Sequence, residues 1–206
     1  MPTIKIISVD FQKEFSAKGG KHYRPHLNVD FIKKILVPFL RERDIKIAEI
    51  VSDYRQPRPG DLDDSTRPGE EGYVSEIPDG VKLKNVWVKC MNSPIWTREN
   101  IGNPNKKPGL PYQDPKAFTD WLNSTIGKPK EVDEVVLIGL TIDCCVFCTA
   151  QELKFRGYNV KILREAVDTY SGNPQEKDMI LNNPPLLNWA KVISWDELKK
   201  SLGGKL

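Results

Sequence analysis

Three of the four cysteines, Cys144, Cys145 and Cys148, fall within five positions of one another. They lie in the run Gly139-Leu140-Thr141-Ile142-Asp143-Cys144-Cys145-Val146, which reads as a strand-to-helix turn. Backbone N–H groups at a helix N-terminus are unpaired and carry partial positive charge. A thiol held there is expected to ionise below its free value of about 8.5. The same N–H groups can hold the oxyanion formed when a thiolate attacks a carbonyl. The cluster also reads as three small apolar side chains opening a buried helix. A vicinal Cys144–Cys145 disulfide would be strained, and a zinc site lacks further ligands at fitting spacing.

Two more residues have types suited to acid–base work. Asp10 ends the β-branched run Ile4–Val9 and has no packing reason to sit there. Taken alone it also reads as a turn or cap residue. Lys89 closes Val86-Trp87-Val88 and, taken alone, also reads as a lysine reaching solvent at a strand end.

The elements that must position these residues alternate along the chain. Strands are expected over 4–9, 46–52, 85–89, 134–139, 159–163 and 190–193. An amphipathic helix is expected over 30–43, kinked or broken at Pro38. Others are expected from Asp114-Pro115 to about Ser124, from Asp143 to Arg156 with Gly157 as its C′ residue, and over 176–181. A last helix opens on the capping box Ser194-Trp195-Asp196-Glu197 and stops before Gly203-Gly204. Residues 54–82 and 97–114 are long Pro- and Gly-rich loops, a type that is usually functional or disordered. This order predicts an α/β fold of three layers, a doubly wound and mostly parallel sheet of Rossmann-like form. Ligands of such folds bind at the carboxyl ends of the strands, where Asp10, Lys89 and the 141–145 turn all fall.

These residues carry a resemblance that runs over roughly residues 4–195. Asp10-Phe11-Gln12-Lys13-Glu14-Phe15 resembles the D-x-Q-x-x-F opening of the isochorismatase-like cysteine hydrolases, which include nicotinamidase, N-carbamoylsarcosine amidase, and ureidoacrylate and biuret amidohydrolases. Gly139 to Val146, followed by Thr149-Ala150 and Gly157-Tyr158, resembles that family's nucleophile segment. Val88-Lys89 is similar to the strand delivering its lysine, and Pro68-Gly69-Glu70-Glu71-Gly72 loosely matches its P-G-x-x-G turn.

The resemblance implies an isochorismatase-type fold as one domain over 1–206, and a cysteine hydrolase acting on small amide or N-carbamoyl compounds through a thioester. Asp10, Lys89 and Cys145 would be its catalytic residues. The backbone N–H groups of Thr141 and Cys145 would form the oxyanion hole, after a cis Leu140–Thr141 peptide. Cys145 is preferred over Cys144 because Val146 follows it, as in the family. Two other classes remain open: a non-catalytic ligand- or partner-binding member, and a thiol-redox protein.

The metal-dependent nicotinamidases carry Asp-x-His after strand two. Here the stretch is Ser52-Asp53-Tyr54-Arg55, and the only histidines, His22 and His26, precede the first long helix. No metal and no cofactor are therefore expected, and both histidines read as loop or surface residues. Gln12, Phe15, Trp96 and Tyr54 are candidate pocket residues. Arg55 and Arg98 are either solvated or binders of a substrate carboxylate.

Composition excludes other classes. The 206 residues carry 31 Lys+Arg against 28 Asp+Glu, a surplus of three that argues against nucleic acid as partner. No apolar run approaches the roughly 20 residues that span a bilayer, and the N-terminus reads as a strand rather than a leader. A cytoplasmic homo-oligomer with a small-molecule substrate is the expectation, the assembly by analogy alone.

Overall fold

The computed structural model describes residues 2–60 and 63–203. Strand β1 (Ile4–Val9) is followed by the short α1 (Lys13–Ser16). Helix α2 (Leu27–Phe31) runs through a π-helical stretch, Ile32–Leu36, into α3 (Val37–Glu42). Then come β2 (Ile47–Ser52), a 3₁₀ turn at Glu71–Tyr73, β3 (Trp87–Lys89), and the two-residue strands β4 (Trp96–Thr97) and β5 (Tyr112–Gln113). The second half comprises α4 (Pro115–Thr125), β6 (Glu134–Leu140), α5 (Cys145–Phe155), β7 (Val160–Asp168), α6 (Pro174–Asn182), β8 (Lys191–Ile193) and α7 (Trp195–Ser201).

Six strands form one sheet in the order β3-β2-β1-β6-β7-β8, and every pair is parallel. β4 and β5 make a separate antiparallel pair. Alternate side chains of the central strands face opposite layers, as the period of two requires. Val135 and Leu137 of β6 join a core with Phe118, Trp121 and Leu122 of α4 and with Val146, Ala150 and Leu153 of α5. Val136, Ile138 and Leu140 face Ile32, Leu36 and Leu40 of the α2–α3 helix and Leu198 of α7. Burying each such aliphatic side chain is worth about 1.5–3 kcal/mol, and both faces of the sheet are covered. The result is a three-layer α/β Rossmann-like fold. Among the described residues no helix is long and apolar enough to cross a membrane.

The strand order reverses between β1 and β6, so the crevice at their carboxyl ends is the ligand position for this topology. Gly139 brings the two ends together. Its φ is +110°, and a Cβ there would lie 2.1 Å from the Val9 carbonyl oxygen. Only glycine permits that approach. The β6–β7 register shifts at the same point.

Several boundaries differ from the sequence expectation, each for a tertiary reason. The helix expected to begin at Asp30 begins at Leu27, whose N–H is received by the Asp168 carboxylate from β7. The break expected at Pro38 takes the form of the π-helical stretch before it, where a residue lacking N–H cannot continue the regular ladder. β7 extends through Asp168 rather than ending at Leu163, because the charged residues that obscured it have partners: Arg164 pairs with Asp178, and Glu165 receives the Trp195 N–H. The helix expected from Asp143 starts at Cys145, since the Asp143 carboxylate is engaged by the Tyr170 N–H. The Ser194–Glu197 capping box forms in both directions. Gly204 and residues 61–62 of the first long loop lie outside the described residues.

Candidate active site

Asp10 follows β1 directly, with its N–H bound to the Ile50 carbonyl at 2.9 Å and a φ of +47°. That left-handed conformation is one that Asp tolerates better than most residues. Lys89 is the last residue of β3, two strands away from β1. Adjacent strands lie about 4.8 Å apart, so bridging that gap needs a long side chain. Lys89 does so while fully buried: its Nζ lies 2.8 Å from Asp10 Oδ2, 3.1 Å from the Met91 carbonyl oxygen and 3.4 Å from Cys145 Sγ. Cys145 is the first residue of α5. The three residues read from distant sequence positions thus meet at one point.

Tyr54 completes the cluster. Its hydroxyl lies 3.1 Å from Cys145 Sγ and 3.4 Å from Asp10 Oδ2, and it accepts a hydrogen bond from Lys89 Nζ. Asn92 Oδ1 is 3.8 Å from the sulfur. Asp10 Oδ1 is buried without a partner among the described residues. The Leu140–Thr141 peptide is cis. The N–H groups of Thr141 and Cys145 have no acceptor among the described residues.

These groups open into a cavity of about 470 Å³. Its walls are Phe15, Tyr54, Arg58, Asn92, Leu140, Thr141, Asp143 and Cys144, and its rim is His22, Asp63 and Tyr170. His22 bonds Asp63 through Nε2 at 2.5 Å and the Tyr170 hydroxyl through Nδ1 at 3.1 Å, and it stacks on Phe15. Burial works against ionised Asp63, but its bonds to Lys21 and His22 more than offset this and hold the carboxyl down at about 2.

Charge within the cluster follows from the contacts. The neighbouring Cys144 thiol raises the Cys145 thiol. Burial raises Cys145 further, well above the usual thiol range. The expectation of a helix-lowered Cys145 is thereby corrected: desolvation and the neighbouring thiol outweigh the helix N-terminus and the Lys89 charge. Cys145 rests as a neutral thiol and needs a base. Burial disfavours the Lys89 ammonium, but the Asp10 carboxylate outweighs it and leaves Lys89 above its ordinary value. Burial and the Asp10 charge hold Tyr54 well above 10, as a neutral phenol.

Other candidate residues fall elsewhere. Phe15 lines the cavity, whereas Gln12 and Trp96 do not. Gln12 is a buried bracket that joins the end of β2 to the 71–75 segment, through Ser52 N–H and the carbonyls of Ser52 and Tyr73. Trp96 is half-buried in the β4–β5 pair. Arg55 and Arg98 are neither solvated nor in the cavity. Both are buried on Asp53: Arg55 in a bidentate pair at 2.9 and 2.7 Å, Arg98 at 3.0 Å. Arg55 also donates to carbonyls of Asn100, Asn103 and Lys106, which organises the second long loop around it. All four cysteines are free thiols.

Comparison with known proteins agrees with this fold. Residues 115–197 match the Isochorismatase domain family model. An isochorismatase-like hydrolase from Alkaliphilus metalliredigens superposes with a TM-score of 0.63 at 18% identity, covering 97% of this chain and 98% of its own. The match to the family model is confined to residues 115–197, and over its whole length the chain shares the fold of the isochorismatase-like hydrolases. Two further solved structures are similar in fold. The pyrazinamidase of Pyrococcus horikoshii in complex with zinc gives 0.63 at 17% identity, over 94% of this chain and 100% of that one. The N-carbamoylsarcosine amidase from Thermoplasma acidophilum gives 0.58 at 20% identity, over 93% and 96%. No curated protein matches the chain.

The zinc named for the Pyrococcus horikoshii structure has no fitting ligand set among the described residues of this protein. Asp53 stands where the resemblance puts the metal-binding carboxylate. Two guanidinium groups occupy both of its oxygens, the Gly102 N–H adds a third donor, and they keep the carboxyl ionised despite burial. Arg55 stands at the histidine position of that motif. Among the described residues no group of three His, Cys, Asp or Glu is arranged to hold a metal.

Proposed function

We propose that this protein is a metal-independent cysteine amidohydrolase, which cleaves the C–N bond of a small amide or N-carbamoyl compound through a thioester. The observation that carries this reading is the convergence of the Asp10–Lys89 ion pair on Cys145 Sγ, at a cavity lined by Asp10, Thr141 and Cys145, where the N–H groups of Thr141 and Cys145 have no acceptor among the described residues. The amidase names of two structural relatives support the same class.

The neutral Cys145 thiol gives up its proton to the Asp10 side of the site, and the sulfur attacks the substrate carbonyl. Lys89 is paired with Asp10 beforehand and offsets the negative charge on sulfur afterwards. The carbonyl oxygen becomes an oxyanion, with the N–H groups of Thr141 and Cys145 as its donors. Asp10 then protonates the nitrogen, the C–N bond breaks, and ammonia or an amine leaves a thioester on Cys145. Water, deprotonated by Asp10, attacks the thioester; the C–S bond breaks and an acid is released with Cys145 restored.

The test is an ammonia-release screen over simple amides, ureido acids, biuret and nicotinamide, with and without chelator. The reading expects release from at least one of these, lost in Cys145→Ala and unchanged by chelator. Release that persists in Cys145→Ala, or that stops on chelation, would overturn it. Activity abolished by Cys144→Ser and Cys148→Ser but kept by Cys145→Ala would favour thiol-redox chemistry instead.

A further inference from the structure

Tyr54 is the one member of the cluster to which the chemistry above gives no role. Its hydroxyl contacts all three reacting groups, and the Arg58 guanidinium stacks on its ring, 3.9 Å from the centroid. Such stacking favours one orientation of the phenol.

Counting protons shows what the hydroxyl must do. The Lys89 ammonium has three protons. Asp10 Oδ2, the Met91 carbonyl and the Tyr54 oxygen are three acceptors for them. The Cys145 sulfur, at 3.4 Å, competes with three oxygens and is the poorest acceptor of the four. Tyr54 accepts from Lys89 and keeps one proton of its own, directed to Cys145 Sγ at 3.1 Å or to Asp10 Oδ2 at 3.4 Å. It is therefore the nearest polar hydrogen source for a thiolate at this position, and a bridge between the thiol and the carboxylate.

We infer that Tyr54 is a catalytic residue that relays the Cys145 proton to Asp10 and then donates a hydrogen bond to the thiolate; this rests on the amidohydrolase reading of Cys145. In the relay the S–H bond breaks and its proton bonds to the Tyr54 oxygen, while the electron pair stays on sulfur. The original Tyr54 O–H bond breaks and that proton bonds to Asp10 Oδ2. Tyr54 ends as it began, a neutral phenol, with its new proton on the sulfur side. The competing route is direct transfer from sulfur to the unpartnered Asp10 Oδ1, in which Tyr54 moves no proton.

The experiment compares the protein with Tyr54→Phe, which keeps the ring. One readout is the pH dependence of Cys145 alkylation by iodoacetamide, followed by peptide mass spectrometry. It needs no substrate. Loss of a hydrogen bond to a charged sulfur predicts about a tenfold slower alkylation at pH 7, with the apparent thiol pKa displaced upward. A second readout uses the unaltered protein: the rate of ammonia release in mixtures of light and heavy water. Two protons in flight give a curved dependence on deuterium fraction, and direct transfer gives a straight line. An unchanged alkylation profile in folded Tyr54→Phe, or a straight line in the unaltered protein, overturns the inference. If Tyr54→Phe fails to fold, the heavy-water dependence decides. If Cys145 neither alkylates nor supports ammonia release in the unaltered protein, the amidohydrolase reading itself fails, an outcome distinct from either result for Tyr54.

Discussion

Replacing Lys89 by methionine removes the buried cation 3.4 Å from the Cys145 sulfur while keeping most of the side-chain volume. At 3.4 Å, with an effective dielectric constant of about 20, the attraction between Nζ and a thiolate is worth about 5 kcal/mol. Part of this is cancelled already by the negative charge of Asp10. A net loss of about 3 kcal/mol remains, roughly a hundredfold in the rate of thiolate reactions. Removing one partner of a buried pair also costs about 3–5 kcal/mol of stability, so the assay is run where circular dichroism shows the variant folded. The measurement is the second-order rate of Cys145 alkylation at pH 7. A folded Lys89→Met protein that alkylates Cys145 at the rate of the unaltered protein would refute the electrostatic role given to Lys89.

Asp53→Ala leaves two buried guanidinium groups without their carboxylate, and is expected to cost about 3–5 kcal/mol in urea unfolding; a loss below about 1 kcal/mol would contradict the account of that cluster. Cys144→Ser is expected to retain ammonia release within about tenfold, whereas Cys145→Ser abolishes it, because only the Cys145 sulfur touches Lys89 and Tyr54. Asp63, held at about 2 in the fold, stabilises the protein above its unfolded value near 4, and that contribution disappears as pH falls through about 2. The stability difference between the unaltered protein and Asp63→Asn should therefore shrink as pH falls from about 5 and vanish toward pH 2, as read by acid titration of the unfolding midpoint.

Much of this arrangement is legible in the residues. Continuous apolar runs at 4–9 and 134–139 are strands buried on both faces, and the topology then brings their carboxyl ends side by side. The Gly139-to-Val146 run marks the turn that carries Cys145. What local sequence could not supply is long-range partnering. The N-terminus of α2 depends on a carboxylate 141 residues away. β7 looks like a loop over 164–168 until its charged side chains meet their partners on α6 and α7. Arg55 and Arg98 look solvated because nothing in their neighbourhood announces Asp53 as a shared buried acceptor. Tyr54 was visible only as an aromatic wall. Its hydroxyl matters because β2 carries it to the end of β1, and no spacing rule encodes that meeting. His22 likewise joins the cavity rim through Asp63 and Tyr170, both distant in the chain.

The central claim is that Cys145 carries the acyl group. Peptide mass spectrometry of protein quenched in acid while it releases ammonia from an amide tests this directly. The account predicts a single added mass, equal to the acyl portion of the substrate, on the peptide containing Cys145 and absent from Cys145→Ala. Sustained ammonia release with no adduct, or with the adduct on Cys144 or Cys148, would contradict it.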